Sequence, residues 1–202
     1  TAHLATHKLE MKEALLEAGI LTPWFIGIKS LKQLEEIVSD RPGLYVLKPV
    51  DSRGSRGVIR LSKLQECPEA FAYSSQYSMT NELILEEWIK GEQLSSESIV
   101  SLGESYLCGL ADRNYSRLSD LYPFVVEDGG ETPSRLSSIE MEKSINNLMN
   151  MICKAIGLEN GSIKGDLVFS NGALYVIEFA VRLSGGSFST VTIPLVYEYN
   201  LV

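Results

Sequence analysis

Cysteine is scarce: Cys67, Cys108 and Cys153 are odd in number, widely spaced and without nearby histidines. Such a set supports neither a disulfide framework nor a zinc site, and a reducing cytoplasm is the expected compartment. Basic residues are in deficit as well, 18 Lys and Arg against 26 Asp and Glu for a net charge of −8. No broad cationic face is therefore available to displace counterions from a nucleic-acid backbone, although a small polyanion needs only a local basic pocket. Long apolar runs are missing: Leu83 to Leu85 and Tyr175 to Ile177 are far too short to span a bilayer, and no charged-then-apolar leader opens the chain. Internal repeats and low-complexity segments are also missing. What is present, 45% hydrophobic residues over 202 positions, suffices for a sizeable core in one domain or two small ones. The first residue is Thr1 rather than Met, and Val202 follows an apolar, helix-compatible stretch, as expected of a piece of something longer.

Apolar periodicity and turn residues outline the elements. Leu9, Met11, Leu15, Leu16 and Ile20 recur at helical spacing, with Gly19 and Pro23 ending a helix over about 7–18. A short strand at 24–28 precedes a helix capped by Ser30 and running to about 38, then a turn at Arg41-Pro42-Gly43 and a strand at 45–48. The polar, glycine-rich stretch 51–57 reads as a loose hairpin tip before a strand at 58–61. A helix over 68–75 follows, then a buried strand at 83–88 and two strands, 93–100 and 106–113, turning at Gly103. Residues 116–134 read as an irregular connection containing a short strand at 123–126. Ser138 opens a long helix closed by Gly157, and strands 165–169 and 174–178 pair across Asn171-Gly172. The fold class is α+β, with antiparallel sheets flanked by helices.

Four places carry chemistry. Asp166 and Glu178 fall near one another across the Asn-Gly hairpin, on one face, where two carboxylates repel unless a cation lies between them. Magnesium, with its other positions left to phosphate oxygens and water, suits such a pair; two solvated strand ends are the alternative. Arg182 with Ser184-Gly185-Gly186 places a cation beside a backbone that can approach a ligand closely, or is a surface arginine before a turn. The tip Ser52-Arg53-Gly54-Ser55-Arg56-Gly57, entered from Lys48, offers successive N–H groups, hydroxyls and guanidiniums to a triphosphate, or is a mobile tip with no ligand. It is no Walker loop, because it lacks the Gly-Lys-Ser/Thr ending and joins two strands. Glu86-Glu87-Trp88-Ile89, followed by Gln93, ends an apolar strand where an adenine could lie and be read by backbone groups; a core strand ending at a solvated turn is the alternative.

In this order and spacing, the motifs resemble the ATP-grasp superfamily, whose members include biotin carboxylase, D-alanine:D-alanine ligase and the large subunit of carbamoyl phosphate synthetase. The resemblance opens at Lys8, with His7 where an aspartate is usual, and at Gly19-Ile20-Leu21-Thr22-Pro23. It implies that Lys48 and Lys8 contact ATP and that Ser52 to Gly57 close over the phosphates. Glu86, Glu87, Trp88 and Ile89 would then grip adenine, and Gln93 would stand where a glutamate usually meets the ribose. Asp166 and Glu178 match the metal carboxylates, and Arg182 the arginine that steadies an acyl phosphate. Ala180 breaks the usual Glu-x-Asn-x-Arg pattern and removes an amide ligand.

The resemblance further implies an ATP-grasp domain over 1–202, with 22–90 as a small lid-like subdomain and 1–21 with 91–202 as the larger one. An N-terminal domain that helps bind substrate is missing from this sequence. The implied function is an ATP- and Mg2+-dependent carboxylate–amine ligase acting through an acyl phosphate, with Mn2+ as a substitute ion. Its partners are small carboxylate and amine substrates, with a homodimer left open and neither nucleic acid nor membrane expected. A regulatory ATP-binding module without ligation, a carboxylate–thiol ligase and a plain structural domain are the competing readings.

Overall fold

The computed structural model describes residues 2–202. Helix α1 (Lys8–Glu17) begins where His7 accepts the Glu10 N–H, and leads into strand β1 (Phe25–Ile28). Helix α2 (Leu31–Asp40) starts at Ser30, whose hydroxyl accepts the Gln33 N–H. Strands β2 (Tyr45–Pro49) and β3 (Ile59–Leu61), helix α3 (Cys67–Ser75) and strand β4 (Leu83–Glu87) complete a first, four-stranded sheet ordered β1-β4-β2-β3. Leu34 and Val38 of α2 and Ala70 of α3 pack with Leu47, Leu61 and Leu85 into one apolar cluster.

The second sheet takes β5 (Glu92–Ser101), β6 (Glu104–Asn114), β7 (Gly129–Glu131), β8 (Gly161–Ser170) and β9 (Ala173–Ala180) in the order β7-β6-β5-β8-β9. Helix α4 (Ile139–Ile156) runs between Ser138, which accepts the Met141 N–H, and Gly157 at φ +64°, a left-handed cap that glycine adopts without Cβ penalty. Ile145, Met149 and Ile152 of α4, with Met11 and Leu15 of α1, cover Leu94, Leu167 and Phe179 of this sheet. Within both sheets the strands pair antiparallel. A π-helical turn, Phe188–Thr192, and a short helix α5 (Ile193–Tyr197) follow.

The chain leaves the first sheet for the second at Gly91, between β4 and β5. A Cβ there would lie 2.3 Å from the carbonyl oxygen of Phe169 and 2.8 Å from Cγ1 of Val168. Backbone cannot yield as a flexible side chain can, so Gly91→Ala is expected to cost about 2–3 kcal/mol of stability, read as a lower urea midpoint.

Residues 115–128 return from the second sheet to the first. The expected strand at 123–126 is not formed: only Phe124 bridges, to Ile59, while the regular strand is β7 further on. Side chains hold this segment instead. Tyr122 donates to Glu66 at 2.8 Å, the Phe124 ring meets Tyr73 edge-on at 5.4 Å, and the Arg60 guanidinium lies 5.0 Å from the Tyr122 ring centre. Apolar residues that anchor a crossing segment need no ladder, which is why an apolar run here does not make a strand.

Candidate functional site

Between the two sheets lies an open cleft of about 210 Å3, and most of the side chains singled out in the sequence converge on it. Lys8, at the start of α1, gives its backbone N–H to Val50 O at 2.8 Å, and its ammonium lies 2.5 Å from Ser52 O and 3.7 Å from Glu178. Lys48 extends from β2 to within 3.0 Å of Glu86. The other Glu86 oxygen is 3.1 Å from Lys12. Thus Glu86 borders the cleft, yet its carboxylate, 2% exposed, is committed to two buried lysines. Burial opposes the Glu86 charge, but Lys12 and Lys48 outweigh it and hold the carboxyl below its ordinary range. Lys12 fares differently: burial brings its ammonium down to about 8 despite Glu86, because one carboxylate serves two cations.

At the strand end, the Glu87 N–H is taken by Trp24 O and the Trp88 N–H by Leu44 O, both at 2.9 Å. Glu87 pairs with Arg41 at 2.9 Å, and the Arg60 guanidinium sits 5.5 Å from the Trp88 ring. Glu87, Trp88, Ile89 and Gln93 all border the cleft.

Asp166 and Glu178 are direct cross-strand partners on β8 and β9, just before a bulge that shifts the register at Leu167. Cations crowd Asp166: Lys164 reaches its two oxygens at 2.9 and 3.0 Å, and Arg113 of β6 lies at 3.1 Å. Arg113 also forks onto Glu127 through Nε at 3.1 Å and a terminal nitrogen at 2.6 Å. Burial works against that guanidinium, and Asp166 and Glu127 more than compensate, raising it above its ordinary range. Nearby, burial pushes the Tyr115 phenol up to about 12, with Arg113 pulling the other way. Arg113, Tyr115, Lys164 and Lys12 were not singled out in the sequence. Lys164 could have been, since it stands two residues before Asp166 and strand alternation puts both on one face.

The same alternation puts Ala180 on the face of Glu178, but its methyl offers no oxygen. Among the described residues no group of three His, Cys, Asp or Glu side chains converges as metal ligands would. A hard cation would draw two protein carboxylates from this chain, Asp166 and Glu178, and the remainder from phosphate and water; that donor set fits nucleotide-bound magnesium, which keeps several non-protein ligands.

Ser52, Gly54, Ser55 and Arg56 border the cleft, whereas Arg53 and Gly57 do not. Gly57 serves packing instead, since at φ +73° its missing Cβ would lie 2.7 Å from Cγ of Pro49. Arg53 turns toward a second cavity beside Ala5, Met11, Ala180 and Val181. Lys8, Ser52, Glu178 and Arg182 border both spaces and stand between them.

Comparison with known proteins shows the family of this chain. Residues 5–186 match the model of the ATP-grasp domain. The chain belongs to the ATP-grasp family. Among curated relatives, a cyanophycin synthetase of Crocosphaera subtropica is 27% identical over 177 residues, covering 82% of this chain and 20% of that protein. The dapdiamide A synthase of Enterobacter agglomerans is 24% identical over 153 residues, 70% of this chain and 34% of the relative. The ATP-grasp chain therefore spans between a fifth and a third of these relatives. Among solved structures, the L-amino acid ligase of Bacillus licheniformis superposes with a TM-score of 0.77 at 22% identity, over 95% of this chain and 44% of that one. The biotin carboxylase domain of Hydrogenobacter thermophilus 2-oxoglutarate carboxylase, solved with MgADP, gives 0.75 at 20% identity, over 98% and 47%. At these identities the structures establish a shared ATP-grasp fold. No helix among the described residues is long and apolar enough to cross a membrane.

Proposed function

We propose that this ATP-grasp chain is the nucleotide-binding part of a carboxylate–amine ligase that uses ATP and magnesium and works through an acyl phosphate. The observation that carries the proposal is the pairing of Asp166 with Glu178 on a rigid hairpin, facing a cleft into which Lys8, Lys48 and Arg182 also project. Adenine would lie along Glu87 to Ile89, with Gln93 toward the ribose. The Glu87 and Trp88 N–H groups are already spent on Trp24 and Leu44, so the backbone from Ile89 onward would read the base. Residues 22–90 would act as the lid-like part. The triphosphate would run beneath Ser52 to Arg56 toward Glu178, between Lys48 and Lys8, which hold its charge without protonation chemistry.

Asp166 and Glu178 would hold magnesium, which when bound supplies neutralising charge to the phosphate oxygens. Arg182, which borders both cavities, would receive a carboxylate from the second cavity and hold the negative oxygen that forms when an amine attacks. The curated relatives are named as a cyanophycin synthetase and a dapdiamide A synthase and a solved neighbour as an L-amino acid ligase, which makes amino acids the first substrates to test.

The test is a thermal-shift series with ATP, ADP and GTP, each with and without magnesium. Saturation at about 100 times Kd is expected to add about 2.7 kcal/mol to the folded state, with adenine nucleotides and magnesium together. Phosphate release on addition of amino acids would then establish ligation. Ala180 gives a second reading its footing: an ATP-binding module that stabilises with nucleotide and releases no phosphate with any acid. A protein that shows no shift with any nucleotide would refute both.

A further inference from the structure

Glu97 lies in β5 with 0% exposure, directly opposite Lys164 of β8, so its side chain stands on the same face of the second sheet as Lys164 and Asp166. Lys164 nevertheless gives its ammonium to Asp166. Both Glu97 oxygens instead accept the backbone N–H of Ser184, at 3.2 and 3.0 Å, and Oε2 also accepts the Ser189 hydroxyl at 3.1 Å. Burial pushes this carboxyl above the usual range, with the Ser184 and Ser189 bonds opposing. A buried carboxylate without a paired cation is an unfavourable choice for packing alone, since an apolar side chain of similar size avoids the desolvation.

What Glu97 holds is the segment that follows Arg182. Strand β9 ends at Ala180, and Arg182 donates to the carbonyl of its own neighbour Leu183 at 2.9 Å, a contact that travels with the segment. Gly185 and Gly186 come next, with Gly186 at φ +68° and nothing within 4 Å of where either Cβ would be. Two glycines in open space supply no packing and maximal backbone freedom. Ser184 lies before that pair and Ser189 after it, so one buried carboxylate fastens both ends of the glycine stretch that follows Arg182.

We propose that Glu97 is a positioning residue that staples the Ser184–Ser189 segment to the second sheet and thereby aims Arg182 at the reacting carboxylate. The aim rests on the ligase reading; the staple does not. The full-length protein should be compared as wild type, Glu97→Ala, Glu97→Gln and Ser189→Ala. Two measurements are made: hydrogen exchange of amides 183–189 without nucleotide, and phosphate release from MgATP with a mixture of the twenty L-amino acids. In Glu97→Ala, exchange over 183–189 should quicken about tenfold. Its kcat should fall about 30-fold while KM for MgATP stays within about twofold. Glu97→Gln can accept from Ser184 through Oε1 and donate to Ser189 through Nε2, so both readouts should recover to within about threefold of wild type. Ser189→Ala removes one bond without opening a buried charge and should fall between.

Unchanged exchange over 183–189 in both alanine variants would overturn the staple, and Ser189→Ala alone decides this if Glu97→Ala does not fold. Faster exchange across the whole sheet, with kcat and KM worsening together, would make Glu97 merely structural and overturn the aim. If wild type releases no phosphate with any amino acid, the ligase reading falls, and with it the aim, while the exchange data still decide the staple.

Discussion

Replacing Glu178 with glutamine should lower amino-acid-dependent phosphate release from MgATP at least about 100-fold, about 2.7 kcal/mol of transition-state stabilisation, while the thermal midpoint without ligand moves little. The two halves of this expectation have separate causes. Glutamine keeps the shape of the side chain but replaces an anionic oxygen with an amide, and a hard divalent ion prefers charged oxygen. With Ala180 contributing no oxygen, no third carboxylate among the described residues joins Asp166 and Glu178 as a metal ligand would, so nothing there substitutes for the loss. Stability is insulated because the Glu178 carboxylate is partly exposed and its ion pair with Lys8, at 3.7 Å, is long. Lys8 also keeps Ser52 O as a partner. Phosphate release and calorimetric melting on one preparation check both halves. Full turnover in Glu178→Gln would remove the metal assignment, and a large drop in the unliganded midpoint would mean that Glu178 is a structural residue instead.

The hairpin that carries this glutamate was legible because Asn171-Gly172 fixes a two-residue turn, and a fixed turn fixes which residues oppose each other. Helix α4 was legible for a similar reason: Ser138 and Gly157 mark its ends and a regular apolar stripe its face. Other features depend on partners distant in sequence. Residues 123–126 carry strand-like apolar character, yet Phe124 is satisfied by the Tyr73 ring and a single bridge to Ile59, contacts that no local pattern encodes. Arg113 resembles any charged strand end until β6 and β8 are seen to bring it 3.1 Å from Asp166. The motif around Glu86 indicated a nucleotide grip, while the fate of its carboxylate was set by Lys12, one helical turn after Lys8 on α1 and hidden among apolar neighbours. Motif spacing reports backbone placement well and side-chain pairing poorly, since pairing is decided between elements.

Glu86→Ala should be among the most destabilising single changes in this fold, at about 3–5 kcal/mol, because it removes the carboxylate that pairs with both buried ammoniums, Lys12 and Lys48. Lys12→Met tests the same triad from the other side and should be much milder, since Glu86 keeps Lys48 and an apolar chain of similar length fills the space. The pH dependence follows from Lys12. Its ammonium titrates at about 8 in the fold against an ordinary value of 10.5. Below about 8 the lysine is charged in both states and the full penalty of burying it is present. Between about 8 and 10.5 the unfolded chain holds a proton that the folded one has released, so stability rises with pH across that window. The gain from this one group is about 3 kcal/mol at most, and other titrations are superimposed on it. Urea unfolding at pH 7.5, 9 and 10, as a difference between wild type and Lys12→Met, isolates the effect: the difference curve should slope upward for wild type. A flat difference would mean that Glu86 holds both lysines charged throughout, and the triad would then be a balanced ion cluster in which Lys12 costs the fold nothing.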